Sequence, residues 1–169
     1  MRRLKKKYKR PKRPWDKARI EEEKKLMEKY GLRRKREIWR AKEILRKFRR
    51  RARRLIAEKD KEKERILLDK LYRMGLVEKN ATLDDVLSLT VEHILERRLQ
   101  TLVYKLGLAR TPKQARQFIV HGHIAFEGRR CVYPSLLVPR GKEKEISFYG
   151  KPLIEVKKVE SEEGGASAS

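Results

Sequence analysis

Positive charge is concentrated in the first half of this 169-residue chain. Residues 1–80 hold 34 basic and 13 acidic side chains, whereas residues 81–169 hold 14 and 11. So many cations cannot enter a core, because a buried charge without a partner is strongly destabilising. The first half must therefore fold as amphipathic elements that keep one face charged. A polyanion is the natural partner of such a face.

The formal net charge of +24 and the absence of long apolar runs narrow the class of protein further. No run approaches the ~20 apolar residues that a membrane-spanning helix requires, and the basic start lacks the apolar stretch of a signal peptide. Cys131 is the single cysteine, so we expect no disulfide within the chain and no cysteine-cluster zinc site. We expect a cytoplasmic protein that uses no metal, cofactor, membrane or small-molecule substrate.

The order of the patterns predicts an α+β protein in three parts. Residues 1–80 form a basic, all-helical region with an extended amino-terminal arm. Residues 81–158 form a small domain of two helices and a β-sheet, and residues 159–169 are a disordered tail. The arm, residues 1–14, is basic and contains prolines without apolar periodicity, so we expect it to be extended or disordered until it binds.

The best-specified element of the first half is a helix around residues 36–54, after a charged helix over residues 16–30. Its apolar residues recur at steps of three and four, which places on one stripe Ile38, Ala41, Leu45, Phe48, Ala52 and Leu55. The other faces carry Arg36, Arg40, Lys47, Arg50, Arg51 and Arg54. A solvated surface is the ordinary interpretation of such a run. The scarcity of acids here favours contact with phosphate, and we add the adjacent Arg33 and Arg34 to the predicted surface.

Two further helices and a short turn between them are predicted before residue 108. An amphipathic stripe is formed by Ile66, Leu67, Leu71 and Met74, and Gly75 ends it. Thr82 and Asp85 cap a short turn over residues 86–89. Thr90 begins a longer helix, ended by Gly107, whose buried face carries Leu95, Leu99, Leu102, Val103 and Leu106. Off that face lie Arg97, Arg98, Gln100 and Lys105.

A short helix and a small sheet follow. Thr111 is a helix N-cap, Pro112 suits the first helical position, and Gln114 is placed to complete a capping box. In this helix Ala115, Phe118 and Ile119 face the core, Gly122 ends the helix, and the surface carries Lys113, Arg116 and Gln117. A first strand is predicted from residue 124, followed by a turn at Glu127 and Gly128 and a returning strand over residues 131–133. Two more strands are predicted over residues 146–148 and 153–156.

Residues 95–138 resemble the RNA-binding module named after ribosomal protein S-four, in its archaeal and eukaryotic type. The motif positions, in order, are Arg98 and Leu99, Arg110 and Thr111, Ala115 and Arg116, Gly122 to Ile124, and Gly128. The resemblance extends upstream through residues 82–98 and, more loosely, across the basic half. It therefore covers nearly the whole chain except the tail.

The resemblance implies a structural constituent of the small ribosomal subunit. It implies binding to a helix junction in the 5′ domain of the small-subunit ribosomal RNA, nucleation of assembly, and a contribution to translational accuracy. It also implies a place near the messenger RNA entry channel, beside ribosomal proteins of the S-three and S-five types, with the messenger as a further possible partner. Relatives often carry asparagine where this chain has Glu127, so we do not assign Glu127 to RNA.

The predicted helices can present a rigid set of cations to structured RNA, because contacts to phosphates recognise the shape of the backbone. Free amides at the helix start after Thr111 suit a phosphate as well. The candidates of this half are Arg97, Arg98, Lys105, Arg110, Thr111, Lys113, Gln114, Arg116, Gln117, His121 and His123.

Several alternatives remain open at this stage. His121 and His123 could be a metal pair, but a zinc site needs more ligands, so hydrogen bonding to phosphate is favoured. Tyr8, Trp15, Trp39 and Tyr133 could stack on bases or pack on protein. Similar modules guide RNA-modifying enzymes, yet no catalytic centre is visible here, so we predict that the protein is not an enzyme. A non-ribosomal RNA chaperone is the other alternative.

Overall fold

The computed structural model describes residues 7–150 of the chain. Its helices are α1 (Lys17–Lys29), α2 (Lys35–Glu58), α3 (Lys61–Arg73), α4 (Leu83–Ser88), α5 (Val91–Glu96), α6 (Leu99–Lys105) and α7 (Pro112–His121). The strands are β1 (Ile124–Phe126), β2 (Arg129–Arg130) and β3 (Ile146–Phe148), in the order β2-β1-β3 with antiparallel pairing. The predicted α+β class is confirmed. The predicted strand over residues 153–156, the tail and residues 1–6 of the arm lie outside the described residues.

Helix α2 is the centre of the first core. The predicted stripe is confirmed, since the helix buries Ile38, Ala41, Leu45, Ala52 and Leu55 and only Phe48 of the set is partly exposed. Helices α1, α3, α4 and α5 all pack against it. In α3 the predicted stripe is wrong at one position: Leu67 and Leu71 are buried, but Ile66 is 68% exposed. The stripe of α3 is therefore narrower than its apolar residues suggest.

A second core lies under α6, α7 and the sheet. Its fully buried residues include Leu99, Val103, Ile119 and Ile124. The two cores divide between Leu95 and Leu99, whereas the sequence pattern places the division at residue 80. The difference arises because α4 and α5 bury their apolar side chains against α2 and so belong to the first core.

The predicted continuous helix from Thr90 to Gly107 is wrong. Helix α5 ends at Glu96 and α6 begins at Leu99, with the backbone of Arg98 extended between them. Residues 136–138 fill the gap: the Leu99 amide donates to the Leu136 carbonyl at 2.8 Å, and the Val138 amide donates to the Arg97 carbonyl at 2.9 Å. Apolar periodicity does not show this break, because both short helices bury residues at helical spacing. The last residue of the predicted face, Leu106, is 37% exposed.

The hairpin after β1 turns earlier than predicted. Strand β2 pairs Arg130 with Ala125 and Arg129 with Phe126, two residues before the predicted return over residues 131–133. Glu127 and Gly128 both have positive φ, of 54° and 72°, as the central residues of a tight type I′ turn require. The Cys131 amide still donates to the Ile124 carbonyl, and its free thiol is buried.

Residues 7–14 of the arm form no helix or strand, but they pack against the helices. The Tyr8 ring lies 5.9 Å from the Trp39 ring, measured between centroids. The Arg19 guanidinium donates to the carbonyls of Arg13 and Pro14 at 3.0 and 2.9 Å. Over the described residues, no helix has the length and apolar character needed to cross a membrane.

Candidate nucleic-acid interface

The predicted basic face of α2 is exposed along the helix. It carries Arg36, Arg40, Lys47, Arg50, Arg51 and Arg54, and all six side chains are solvent-exposed. Arg54 is ion-paired with Glu58 at 2.7 Å, and within residues 7–150 the other five have no ion-pair partner. At 1.5 Å per residue the helix is about 36 Å long. It therefore displays a row of six cations, five of them without an ion-pair partner among the described residues, which we call the α2 basic face.

A second flank of α2 was not among the predicted site residues. Lys42, Arg46 and Arg53 line a shallow groove together with Val91 at the start of α5. Arg49 lies on the same flank but has a structural role, because its guanidinium donates to the Leu89 carbonyl at 2.6 Å. A helical projection of the sequence would have shown this flank, since its members recur at the same three- and four-residue steps.

Helix α7 begins as predicted at Thr111. The Thr111 hydroxyl accepts from the Gln114 amide at 3.2 Å. The Gln114 side chain accepts from the Arg110 amide at 2.8 Å, one residue before the atom that a capping box would use. Arg110 and Lys113 are exposed beside this start. Both are thus placed to contact a phosphate bound at the helix amides.

The remaining surface candidates lie along α7 and just after its end. Gln117 and His121 are exposed, while His123 is partly buried, with its ring edge-on to Phe118 at 6.3 Å. The rings of the two histidines lie 6.1 Å apart. Within residues 7–150 no group of three or more His, Cys, Asp and Glu side chains is arranged to hold a metal ion.

Arg98 and Arg116 pack against protein, which corrects the prediction that both present their side chains to RNA. The Arg98 side chain is 6% exposed and contacts Glu37 at 2.6 Å. Arg116 reaches the same carboxylate oxygen at 3.0 Å. We call Glu37, Arg98 and Arg116 the buried triad, although only Arg98 is fully buried and the side chains of Glu37 and Arg116 are 15% and 23% exposed. Burial alone would raise the pKa of Glu37, but hydrogen bonds from the two arginines outweigh it and lower that pKa.

Arg97 also serves the fold, although it was predicted to be a surface residue. It donates to the Val138 carbonyl at 2.7 Å and is ion-paired with Glu143 at 2.7 Å. Lys105, in contrast, is half-exposed and only loosely paired with Glu96, at 3.7 Å. The interruption between α5 and α6 at residues 97 and 98 explains the error, because it turns both arginines inward.

Gln100 joins the two halves of the molecule. It was predicted to lie off the buried face of its helix, yet it is 1% exposed. Its side-chain amide nitrogen is within 2.9 to 3.1 Å of the carbonyls of Tyr30, Gly31 and Pro112. Gly31 is required there, because a Cβ at this positive-φ position would lie 2.8 Å from Pro112.

Glu37 was missed by sequence reasoning, although a signal exists. It is the only acidic residue between Arg33 and Lys42, a stretch that is otherwise strongly basic. An isolated acid in such a stretch has many potential ion-pair partners. The sequence does not show that the actual partners are Arg98, just before α6, and Arg116 in α7. Of the predicted positions at the start of α2, Arg33 and Arg34 remain exposed.

Comparison with known proteins divides the chain where the two cores meet. Residues 2–96 match the ribosomal protein S4/S9 N-terminal domain, and residues 97–143 match the S4 domain. The small ribosomal subunit protein uS4 of Sulfurisphaera tokodaii is 56% identical over 147 residues, which cover 85% of this chain and 83% of the relative. The uS4 protein of Ignicoccus hospitalis is 54% identical over 150 residues, covering 87% and 90%.

The fold and the exposed cations thus define an S4 domain joined to a basic helical domain. The chain belongs to the ribosomal protein S4 family, and the similar proteins are archaeal. The resemblance predicted from the motif positions is confirmed.

Proposed function

We propose that this protein is a structural, non-catalytic component of the small ribosomal subunit and binds its ribosomal RNA. The observation that carries the proposal is the α2 basic face, a row of exposed cations with few acids to neutralise it. Such a face gains free energy when phosphates bind and their counterions are released. The family and the small-subunit relatives supply the identity of the RNA.

The mechanism follows from two cationic surfaces in one rigid arrangement. The first is the α2 basic face together with Arg33 and Arg34; the second is the start of α7, with Arg110 and Lys113. The buried triad and Gln100 connect the elements that bear them. Converging RNA helices repel one another, and cations held at fixed positions lower that repulsion for one geometry only. The protein therefore stabilises one folded RNA junction.

The side chains that we propose for RNA contact are those that the structure leaves exposed. Besides the residues just named they include Lys105, Gln117 and His121, with His123 partly buried beside them. Thr111 and Gln114 act indirectly, since their side chains cap α7 and fix its free amides. We omit Arg98, whose guanidinium is buried, and assign Arg97 and Arg116 to positioning.

The finer assignment rests on the family resemblance. We propose that the RNA target is a helix junction in the 5′ domain of the small-subunit ribosomal RNA, where early binding nucleates assembly. The neighbours would be proteins of the S-three and S-five types near the messenger entry channel, a position from which the protein contributes to translational accuracy in the cytoplasm. A role as guide module of an enzyme is less well supported, because the relatives of similar length are ribosomal proteins.

A footprint on ribosomal RNA tests the proposal. The purified chain should protect one junction of small-subunit ribosomal RNA from hydroxyl radicals and should remain bound to small subunits in a high-salt wash. Large-subunit ribosomal RNA is the matched control and should show no localised protection. A non-ribosomal RNA chaperone would protect both RNAs diffusely and wash off with salt, and that outcome would remove the ribosomal assignment.

A further inference from the structure

A basic cavity with an aromatic wall lies where the arm meets the start of α2. Its volume is about 550 Å³, within the ~300–1,000 Å³ typical of ligand pockets. Trp39, Pro11 and Pro14 supply apolar walls, and Arg10, Arg34 and Arg36 supply cations. The three arginines have no ion-pair partner among the described residues. The cavity therefore combines a flat apolar surface with uncompensated positive charge.

Trp39 is held in place before any ligand binds. Its indole N–H donates to the buried Glu23 carboxylate at 3.0 Å, and Tyr8 packs against its ring. The same Glu23 oxygen is ion-paired with Arg19 at 3.0 Å, and Arg19 in turn holds the backbone of Arg13 and Pro14. Because its N–H is already used, Trp39 offers a ligand its ring surface rather than a hydrogen bond. This is the property of a stacking platform.

The start of α2, beside this cavity, favours an anion. The N-cap residue is Arg34, and within residues 7–150 no side chain caps the helix amides. The run Arg33 to Arg36 places four cations at the positive end of the helix dipole, which is unfavourable for an isolated helix. Glu37, the acid of the first turn, is already paired with Arg98 and Arg116. A phosphate at this end would accept from the free amides and relieve the repulsion among the cations.

We propose that this cavity binds one unpaired RNA nucleotide, with its base against Trp39 and its phosphate at the first turn of α2. The proposal rests on the RNA-binding function and adds a site to it. An acidic peptide would use the cations but not the aromatic wall, whereas a nucleotide uses both. A base in a duplex could not reach Trp39, so the nucleotide must be extruded from a helix or belong to a single-stranded segment.

The test uses the full chain with Trp15→Phe, so that Trp39 is the only tryptophan and its fluorescence reports the cavity. Trp15 is 89% exposed, so this background should fold normally. The probes are a tetranucleotide of adenosine and an abasic oligonucleotide with the same number of phosphates. We expect the adenosine probe to quench Trp39 and to bind at least roughly tenfold more tightly, since stacking of one base is worth about that factor. Equal affinities without quenching contradict the proposal.

Charge variants locate the phosphate. Arg34→Gln with Arg36→Gln should weaken both probes severalfold, whereas Arg65→Gln with Arg73→Gln, which removes two exposed cations elsewhere, should leave both unchanged. Equal weakening by the two pairs would show diffuse attraction and overturn the site. Stronger binding of tetraglutamate than of the nucleotide would overturn it in favour of a protein partner. If the Trp15→Phe protein binds small-subunit ribosomal RNA but the adenosine probe does not quench Trp39, only the cavity proposal fails. If this protein does not bind small-subunit ribosomal RNA at all, the proposed function itself is refuted.

Discussion

Glu37 is the counterion of the buried Arg98 and of the partly buried Arg116. Its carboxylate lies between Arg98 and Arg116, and among the residues that the structure describes Nε of Arg98 has no hydrogen-bond partner. Burial lowers the pKa of Arg98 but leaves the side chain a cation at neutral pH. The stability of this region therefore depends on a single negative charge.

Replacing that charge is expected to be costly. Glu37→Gln should lower the free energy of unfolding by about 3 kcal/mol, because removing one partner of a buried pair leaves the others uncompensated. Urea unfolding followed by circular dichroism measures the change. Glu58→Gln is the matched control: it removes the exposed partner of Arg54 on the same helix, and the expected change is within about 0.5 kcal/mol. If both substitutions lower the free energy of unfolding equally, the buried triad stabilises the fold no more than an exposed ion pair does.

The same residue predicts an acid dependence. The pKa of Glu37 is lower in the folded protein than its ordinary value of 4.5, so the unfolded chain takes up a proton first as the pH falls. The stabilisation is complete above about pH 4.5 and is lost as the pH falls through the folded-state pKa. Unfolding at several pH values should therefore show a steeper acid loss in the wild type than in Glu37→Gln. Parallel curves would exclude Glu37 as a source of the dependence.

At the scale of elements, the sequence predicts a helix well where local period alone determines it. Helix α2 is the example, since its apolar residues form one uninterrupted stripe. The break between α5 and α6 is not predictable in this way, because it depends on hydrogen bonds from residues 136–138, far along the chain. The buried position of Arg98 follows from that break. Helical spacing was therefore sufficient to predict the basic residues that are exposed. Only the tertiary contacts show which basic residues instead hold the fold in position.

Helix α7 provides the sharpest test of the RNA surface. Arg110→Glu with Lys113→Glu should leave the fold intact, since both side chains are exposed, and should abolish binding to the junction RNA by repelling phosphate. Circular dichroism and RNA binding are measured together. Arg116→Glu is the contrasting variant: it places a second carboxylate beside Glu37 and should unfold the region. Native affinity in the folded double variant would remove α7 from the RNA surface.

The whole molecule joins two cores through a small number of polar contacts. Gln100 and the buried triad bridge the basic helical domain and the S4 domain, while the net charge of +24 opposes compaction of the free protein. The cations and the rigid connection serve the same end, because RNA relieves the repulsion and the connection fixes the geometry in which it does so. The net charge and the relative orientation of the two domains are therefore properties of the two domains together.

Residues 1–7 should strengthen RNA binding through their positive charge and should not affect which RNA shape is recognised. Deleting residues 1–7 removes five cations and no acid, and it leaves Tyr8 and Arg10 in place. Binding to specific and non-specific RNA should weaken alike, and the slope of log affinity against log salt should flatten by up to about 4, since each contacted phosphate contributes ~0.7–0.9. Deleting residues 164–169, which carry no charge, is the control and should leave the slope unchanged. If the slope is the same after both deletions, residues 1–7 do not contact phosphate, and the salt dependence belongs to the α2 basic face and the start of α7.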